Sequence, residues 1–319
     1  MDHIVHHTTL RTSATTNKRT QKNVYFKMEN QQKTGAFKFR GASYKLMRLT
    51  DEQLACGVIT ASAGNHAQGL ALAAYKLGVK ATIYMAESTP LAKVEATRGY
   101  GADVVLMGES FQEAYDASIE HQKKCGATYV HPFDDYDIMA GQGTIALELL
   151  EQESRIDTIM VPIGGGGLIS GIAVAAKSVN PNIKVIGVQA ASAAATHTAY
   201  HEGIVKKLDK VSTIAEGIAV KQPGEKTLPI INHYVDDIIT VSEAEIAHAI
   251  IYMLERGKTL VEGAGAAGLA GLLSHNDKIS SSHCGVIVSG GNLDVGKIPH
   301  IQSLAKQLKP EVSHKALIL

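Results

Sequence analysis

Short β-branched runs alternate with helix-length patterns along most of this chain, and that alternation restricts its fold more than any other feature. "GVIT" is followed by "NHAQGLALAAYKLG" and then "KATIYM"; "ADVVLMG" by "SFQEAYDASIEHQKKCG" and then "ATYVHP"; "DTIMVPI" by "LISGIAVAAKSV" and then "IKVIGVQA". Later, "HCGVIVSGGN" again runs a strand into glycines. Strands separated by helices of about 10–15 residues predict parallel sheets in an α/β fold. With 319 residues, roughly two domains are expected at about 100–200 residues each. Neither a fixed-period repeat nor a low-complexity linker interrupts the pattern. In such sheets ligands bind beyond the carboxyl ends of strands. The chemistry is therefore expected in "TASAGNHAQG", "GGGGL" and "SGGN", each of which follows a strand.

Composition removes several classes of function. Lys+Arg and Asp+Glu both number 31, so no electrostatic footprint for nucleic acid or anionic lipid is expected. The longest apolar stretches, such as "GAGAAGLAGLL", are too short and glycine-rich to span a bilayer. Cys56, Cys125 and Cys284 are odd in number and far apart in sequence, which fits reduced thiols in a cytoplasmic protein better than a disulfide framework. The N-terminus has no apolar signal region. His3 to Met28 is acid-free and threonine-rich, a composition shared with organelle transit peptides. However, "NVYFKME" reads as a strand, which favours an N-terminal arm of the fold itself. The histidine groupings His6–His7 and His197–His201 have neither a third ligand nor a HExxH frame, and read as surface residues. No metal site is expected.

Four consecutive glycines, Gly164, Gly165, Gly166 and Gly167, separate a strand from a helix. Without Cβ atoms their N–H groups can converge on an anion at the helix N-terminus. One or two glycines would suffice for a turn, so a phosphate is the expected guest. No Lys-Ser/Thr pair follows, which excludes a Walker A loop. A dinucleotide site needs an acid at the end of the next strand, and that strand ends in Gln189. Lys38 sits between Phe37 and Phe39, in the first turn of the helix expected over "AFKFRGASYKLMRL". The helix dipole disfavours a cation there, and the aromatic flanks desolvate it, both of which lower a lysine pKa. Taken alone, Lys38 also fits a solvated helix lysine. Together with a phosphate cup, a nucleophilic amine able to form a Schiff base points to pyridoxal phosphate. In "SAGNH", Ser62 and Asn65 could bind a carboxylate and a phenolic oxygen, or Ser62 could simply cap the helix. Ser289, at the end of a strand, could meet a pyridine nitrogen without holding it protonated.

The motifs "KTGAFKFRGA", "ASAGNHAQG", "HPFDD…AGQGTIALELL", "VPIGGGGLISG", "EGAGAAGLAGLL" and "VSGGN" together resemble threonine dehydratases and serine racemases of the tryptophan-synthase-β-like fold. The resemblance runs from about Thr9 to Asp294. It implies two α/β domains with open parallel sheets: a large cofactor domain over 1–47 and 136–319, and a small substrate domain over 48–135, with pyridoxal phosphate in the cleft between them. It also implies that Lys38 carries the cofactor as a Schiff base and acts as the catalytic residue. Phe37, Asn65, Gly164, Gly165, Gly166, Gly167, Leu168, Gly217, Glu262 and Ser289 would surround the cofactor. Ser62, Ala63, Gly64, Asn65 and His66 would line the substrate.

Departures from the family pattern sharpen the expectation. Racemases place an acid/base serine where this chain has Ala63, and metal carboxylates where it has Gln189 and Ala195. The usual "TPL" is "TTL". Little sequence follows "GGNLD", as in the short, catabolic dehydratases. The expected activity is β-elimination from L-threonine or L-serine, giving a 2-oxo acid and ammonia, in a cytoplasmic homodimer or homotetramer with an amino acid as its small-molecule substrate. Three alternatives stand beside it. Ala63 argues against a serine racemase, Gln189 against a nicotinamide oxidoreductase, and intact Lys38 against a non-catalytic ligand sensor.

Overall fold

A computed structural model describes residues 1 and 3–308. The strands are β1 (Leu10–Thr12), β2 (Asn23–Lys27), β3 (Val58–Ala61), β4 (Ala81–Met85), β5 (Asp103–Leu106), β6 (Thr128–Tyr129), β7 (Thr158–Pro162), β8 (Lys184–Ala190), β9 (Asp237–Val241) and β10 (His283–Ile287). The first helices are α1 (Ala14–Thr20), α2 (Lys38–Met47), α3 (Asp51–Cys56), α4 (Asn65–Lys76), α5 (Leu91–Gly99), α6 (Phe111–Cys125) and α7 (Tyr136–Gln152). They are followed by α8 (Gly167–Val179), α9 (Ala195–Glu202), α10 (Thr227–Tyr234), α11 (Glu243–Glu255), α12 (Gly263–Ser274) and α13 (Ile298–Ala305).

Two sheets result. One has the order β1-β2-β10-β7-β8-β9 and the other β5-β4-β3-β6. All pairs are parallel except β1 with β2, which is antiparallel. The alternation of strands and helices predicted the parallel pairs. It left out β1, whose "LRT" carries no apolar signal, and β9, formed by "DIITV" between two helices.

Strand order reverses once in each sheet. From β7 the chain adds β8 and then β9 on one side, while β10 lies on the other; from β3 it adds β4 and then β5, while β6 lies opposite. A reversal separates the crossovers leaving two adjacent strands and opens a crevice at their carboxyl ends. The segments opening on these crevices are Gly164–Gly167 and Ser289–Asn292 in one sheet, and Ser62–Asn65 and Val130–Asp135 in the other.

The six-stranded sheet is covered on both faces, so its central strands are continuously apolar. Val24, Met160, Val188 and Val286 pack with Ile246, Ile250 and Leu269 of α11 and α12. On the other face, Tyr25, Ile159, Val185 and Ile287 pack with Ile145, Leu149 and Ile172 of α7 and α8. Helix starts follow from sequence: Thr50/Gln53, Ser110/Glu113 and Ser242/Glu245 form capping boxes on α3, α6 and α11.

Helices α2, α7 and α8 are stacked at backbone distance. A Cβ on Gly141 would lie 2.6 Å from the Gly41 Cα, and one on Gly143 would lie 2.7 Å from the Gly171 oxygen. Beside this stack is a buried ionic cluster. Arg40 donates to both Glu29 oxygens at 2.8 Å and to both Glu148 oxygens at 2.5 and 2.8 Å, and Lys27 donates to Glu148 at 2.8 Å. Two cations and two anions compensate one another, as buried charge requires.

Candidate active site

Lys38 is the first residue of α2, with Phe37 at the N-cap. The approach is built from two consecutive left-handed residues, Thr34 at φ 66° and Gly35 at φ 71°. Such a conformation is unusual for threonine. The Asn292 amide donates to the Thr34 oxygen at 2.8 Å and secures the turn. Phe37 N–H donates to the Ser289 oxygen at 3.1 Å, which joins the start of α2 to the end of β10. The Lys38 amine donates to the Pro132 oxygen at 2.6 Å and lies 5.3 Å from the Phe37 ring centre. Burial lowers its pKa to about 8, opposed by the charge of Glu262. A neutral fraction therefore exists near neutrality, as a nucleophile or proton acceptor requires.

The glycine loop caps α8, with Gly166 at φ 98°. A Cβ on Gly165 would collide with the Phe133 ring, and one on Gly167 would lie 2.6 Å from the Phe133 oxygen. Thr227 donates its hydroxyl to the Gly165 oxygen at 2.7 Å. The N–H groups of Gly164, Gly165, Gly166, Gly167 and Leu168 have no acceptor among the described residues, although all but Gly164 are buried. Buried amides are nearly always paired. Five successive unpaired donors at a helix N-terminus fit an oxyanion. Ser289 is a buried residue, and its hydroxyl likewise has no hydrogen-bond partner among the described residues.

After β3 of the other sheet, Asn65 opens α4, with Gly64 at its N-cap. Ser62 does not cap the helix; its hydroxyl accepts from Gly64 N–H at 3.3 Å within the turn. The Asn65 amide donates to Glu262 at 2.7 Å and accepts from Asn292 at 2.9 Å. The N–H groups of Asn65, His66 and Ala67 have no acceptor among the described residues. The His66 ring points away into the core, where Nε2 donates to the Val130 oxygen at 2.9 Å. Burial pushes its pKa down to about 3, so it is neutral, and only its backbone N–H faces the turn. Gly217 packs beside Glu262: a Cβ there would lie 3.2 Å from the carboxylate oxygen.

Residues 131–135 connect these parts. Two of them were outside the expected site set yet touch it directly: the Pro132 carbonyl holds Lys38, and Phe133 underlies the glycine loop. His131 Nδ1 accepts from Phe133 and Asp134 N–H at 3.2 and 2.8 Å. Asp134 caps the approach to α10, accepting from Glu225, Lys226 and Thr227 N–H. Asp135 caps α7. Their signal in the sequence was their position directly after the strand of "ATYV". Asn292, the last residue of "SGGN", was equally available by that rule.

Burial pushes the Glu262 carboxyl up from its ordinary 4.5 to about 7, against the opposing hydrogen bond from Asn65. A raised carboxyl pKa means that the folded chain holds the proton more tightly than the unfolded chain. Its contribution to stability is therefore full below about pH 4.5 and is lost as pH rises to about 7. Glu262→Gln keeps an acceptor for Asn65 and has nothing to ionise. In cofactor-stripped protein, the loss of stability between pH 5 and 7 should be smaller in the variant by about 1–3 kcal/mol. Denaturant titrations at several pH values test this; parallel wild-type and variant curves would reject it.

The family profile described as "Pyridoxal-phosphate dependent enzyme" matches residues 2–290. The L-threonine ammonia-lyase of Thermotoga maritima is 46% identical over 301 residues, covering 94% of this chain and 75% of that protein. The processed form of threonine deaminase isoform 2 from Solanum lycopersicum superposes with a TM-score of 0.93 at 38% identity, covering 96% of this chain and 85% of that one. Maize serine racemase superposes with a TM-score of 0.89 at 41% identity, covering 95% and 93%.

Proposed function

The chain belongs to the family of pyridoxal-phosphate-dependent enzymes, and from that premise we propose that it is an L-threonine and L-serine ammonia-lyase producing 2-oxobutanoate or pyruvate with ammonia. The observation that carries this reading is the part-buried Lys38 amine, held by the Pro132 carbonyl, in the same site as five unpaired amides. Relatives named as threonine ammonia-lyases support it.

The unpaired donors of Gly164–Leu168 fit the cofactor phosphate, and the unpartnered Ser289 hydroxyl fits the ring nitrogen. Asn65 fits the phenolic oxygen through the amide hydrogen that Glu262 does not take. Phe37, Gly217 and Glu262 shape the remaining wall. When bound, pyridoxal phosphate supplies an electron-withdrawing system that acidifies the Cα–H of a joined amino acid. The α4 N-terminus, at Asn65 and His66, offers N–H donors to the substrate carboxylate, with Ser62, Ala63 and Gly64 forming the turn around it. The Lys38 amine takes the Cα proton as general base, and the ammonium so formed can return that proton to the departing β-hydroxyl, which leaves as water. We assign 1–47 and 136–319, of which 309–319 lie outside the described residues, to a cofactor domain and 48–135 to a substrate domain, with the cleft between them as the site. Balanced charge supports a protein without nucleic-acid partners, and no helix among the described residues is long and apolar enough to cross a membrane. We further infer a cytoplasmic homodimer or homotetramer.

The racemase reading is tested at Ala63. Inversion needs a proton donor on the face of Cα opposite Lys38, and a methyl offers none. Wild type incubated with L-serine should yield pyruvate and ammonia with little D-serine, measured by chiral chromatography. Ala63→Ser should produce detectable D-serine while deamination remains the main route. Substantial D-serine from wild type would replace the lyase by a racemase.

A further inference from the structure

Cys56 and Cys125 lie 69 positions apart in sequence but converge at the amino ends of two neighbouring strands. Cys56 ends α3, two residues before β3, and Cys125 ends α6, three residues before β6. β3 and β6 are parallel, with Val58 opposite Thr128, so Cys56 stands level with Gly126, the neighbour of Cys125. A Cβ on Gly126 would lie 3.9 Å from the Cys56 sulfur. Both thiols are exposed, and both line one cavity of about 80 Å³ together with His121 and Lys80. A disulfide needs Cα atoms about 4.4–6.8 Å apart, and Cys125 is the chain neighbour of the residue that the Cys56 sulfur faces.

We propose that Cys56 and Cys125 form a dithiol modification site that a small disulfide such as oxidised glutathione converts to an intramolecular bridge. One thiolate attacks a glutathione sulfur, forming a mixed disulfide and expelling one glutathione thiolate. The second cysteine thiolate then attacks the protein sulfur, forming the Cys56–Cys125 bond and expelling the second. The protein loses two hydrogens and two electrons, and one oxidised glutathione becomes two reduced molecules. The bridge joins the roots of two strands whose far ends are the Ser62–Asn65 turn and the 131–135 loop. It therefore fixes their register without touching the site. Cys284 provides an internal control, since it is buried and its thiol is pushed up to about 12, first by burial.

The test uses the purified holoenzyme, reduced, desalted and incubated with oxidised glutathione. Intact mass spectrometry should show the loss of two hydrogens with no retained glutathione. Native thiol titration should fall from two reactive thiols to none, with Cys284 reacting only after denaturation. The bridge closes a loop of about 70 residues and should raise the apparent Tm by several degrees. Cys56→Ser and Cys125→Ser should each retain one glutathione as a stable adduct. A wild-type protein carrying two glutathione adducts, or keeping both thiols free under conditions that modify the single-cysteine variants, overturns the proposal.

Discussion

Lys38→Ala is expected to abolish turnover while leaving the fold intact. The side chain is proposed both to anchor the cofactor and to move the Cα proton, and general base catalysis alone contributes about 10²–10⁴-fold. The remaining activity should fall below about one hundredth of wild type. The amine is part-buried, and its hydrogen bond is to a single carbonyl, that of Pro132, so its removal deletes one polar contact and opens space beside Phe37. The buried cluster around Arg40 and the glycine contacts of α2 with α7 do not involve it. Circular dichroism should be unchanged, and cofactor should still associate through the glycine loop but be removable by dialysis. Deamination of L-threonine above one hundredth of the wild-type rate would remove Lys38 from the catalytic role.

Gly165→Val should weaken cofactor binding by about 10–100-fold, the equivalent of losing one charge-assisted hydrogen bond worth roughly 1.5–3 kcal/mol. A side chain at this position collides with the Phe133 ring, so the loop must rotate and its amides lose their common direction. The Gly165 carbonyl, held by Thr227, moves with them. Activity should return in part as pyridoxal phosphate is added in excess, which separates a damaged cup from a damaged fold. Equilibrium dialysis or fluorescence titration measures the affinity directly. Wild-type affinity in the variant would mean that the four glycines serve only as a turn.

Much of the architecture was legible because strands buried on both faces, such as those of "IMVP" and "VIGVQ", have unbroken apolar signatures. The exposed edge strand β1 is three residues long and has no such signature, so only tertiary pairing with β2 defines it. Within the site, glycine runs and a lysine set between aromatics announce themselves by breaking local norms. His66 did not, because a histidine after a strand can face either way. Its burial against the Val130 carbonyl depends on β6, a strand distant in sequence. Pro132 acts through a backbone oxygen and Phe133 through its shape. Neither role follows from residue type, although the strand-end position of both was visible.

The glycine-to-glycine crossings of α2, α7 and α8 have a consequence for how such a sequence can change. Because main chain meets main chain at Gly41, Gly141, Gly143 and Gly171, the location of the amine one turn earlier on α2 does not depend on the volumes of interdigitating side chains. Substitutions in the apolar layers can lower or raise stability while the nucleophile keeps its address. The turn at Ser62–Asn65 follows β3 of the other sheet, but the helix it opens, α4, also meets α2 at backbone distance: a Cβ on Gly69 would lie 3.0 Å from the Lys38 carbonyl carbon. Mutational tolerance is thereby divided: side chains of the apolar layers can be rewritten, while the glycines of the crossings cannot, and through them the segment that would perform the proton transfer is insulated from drift in the core.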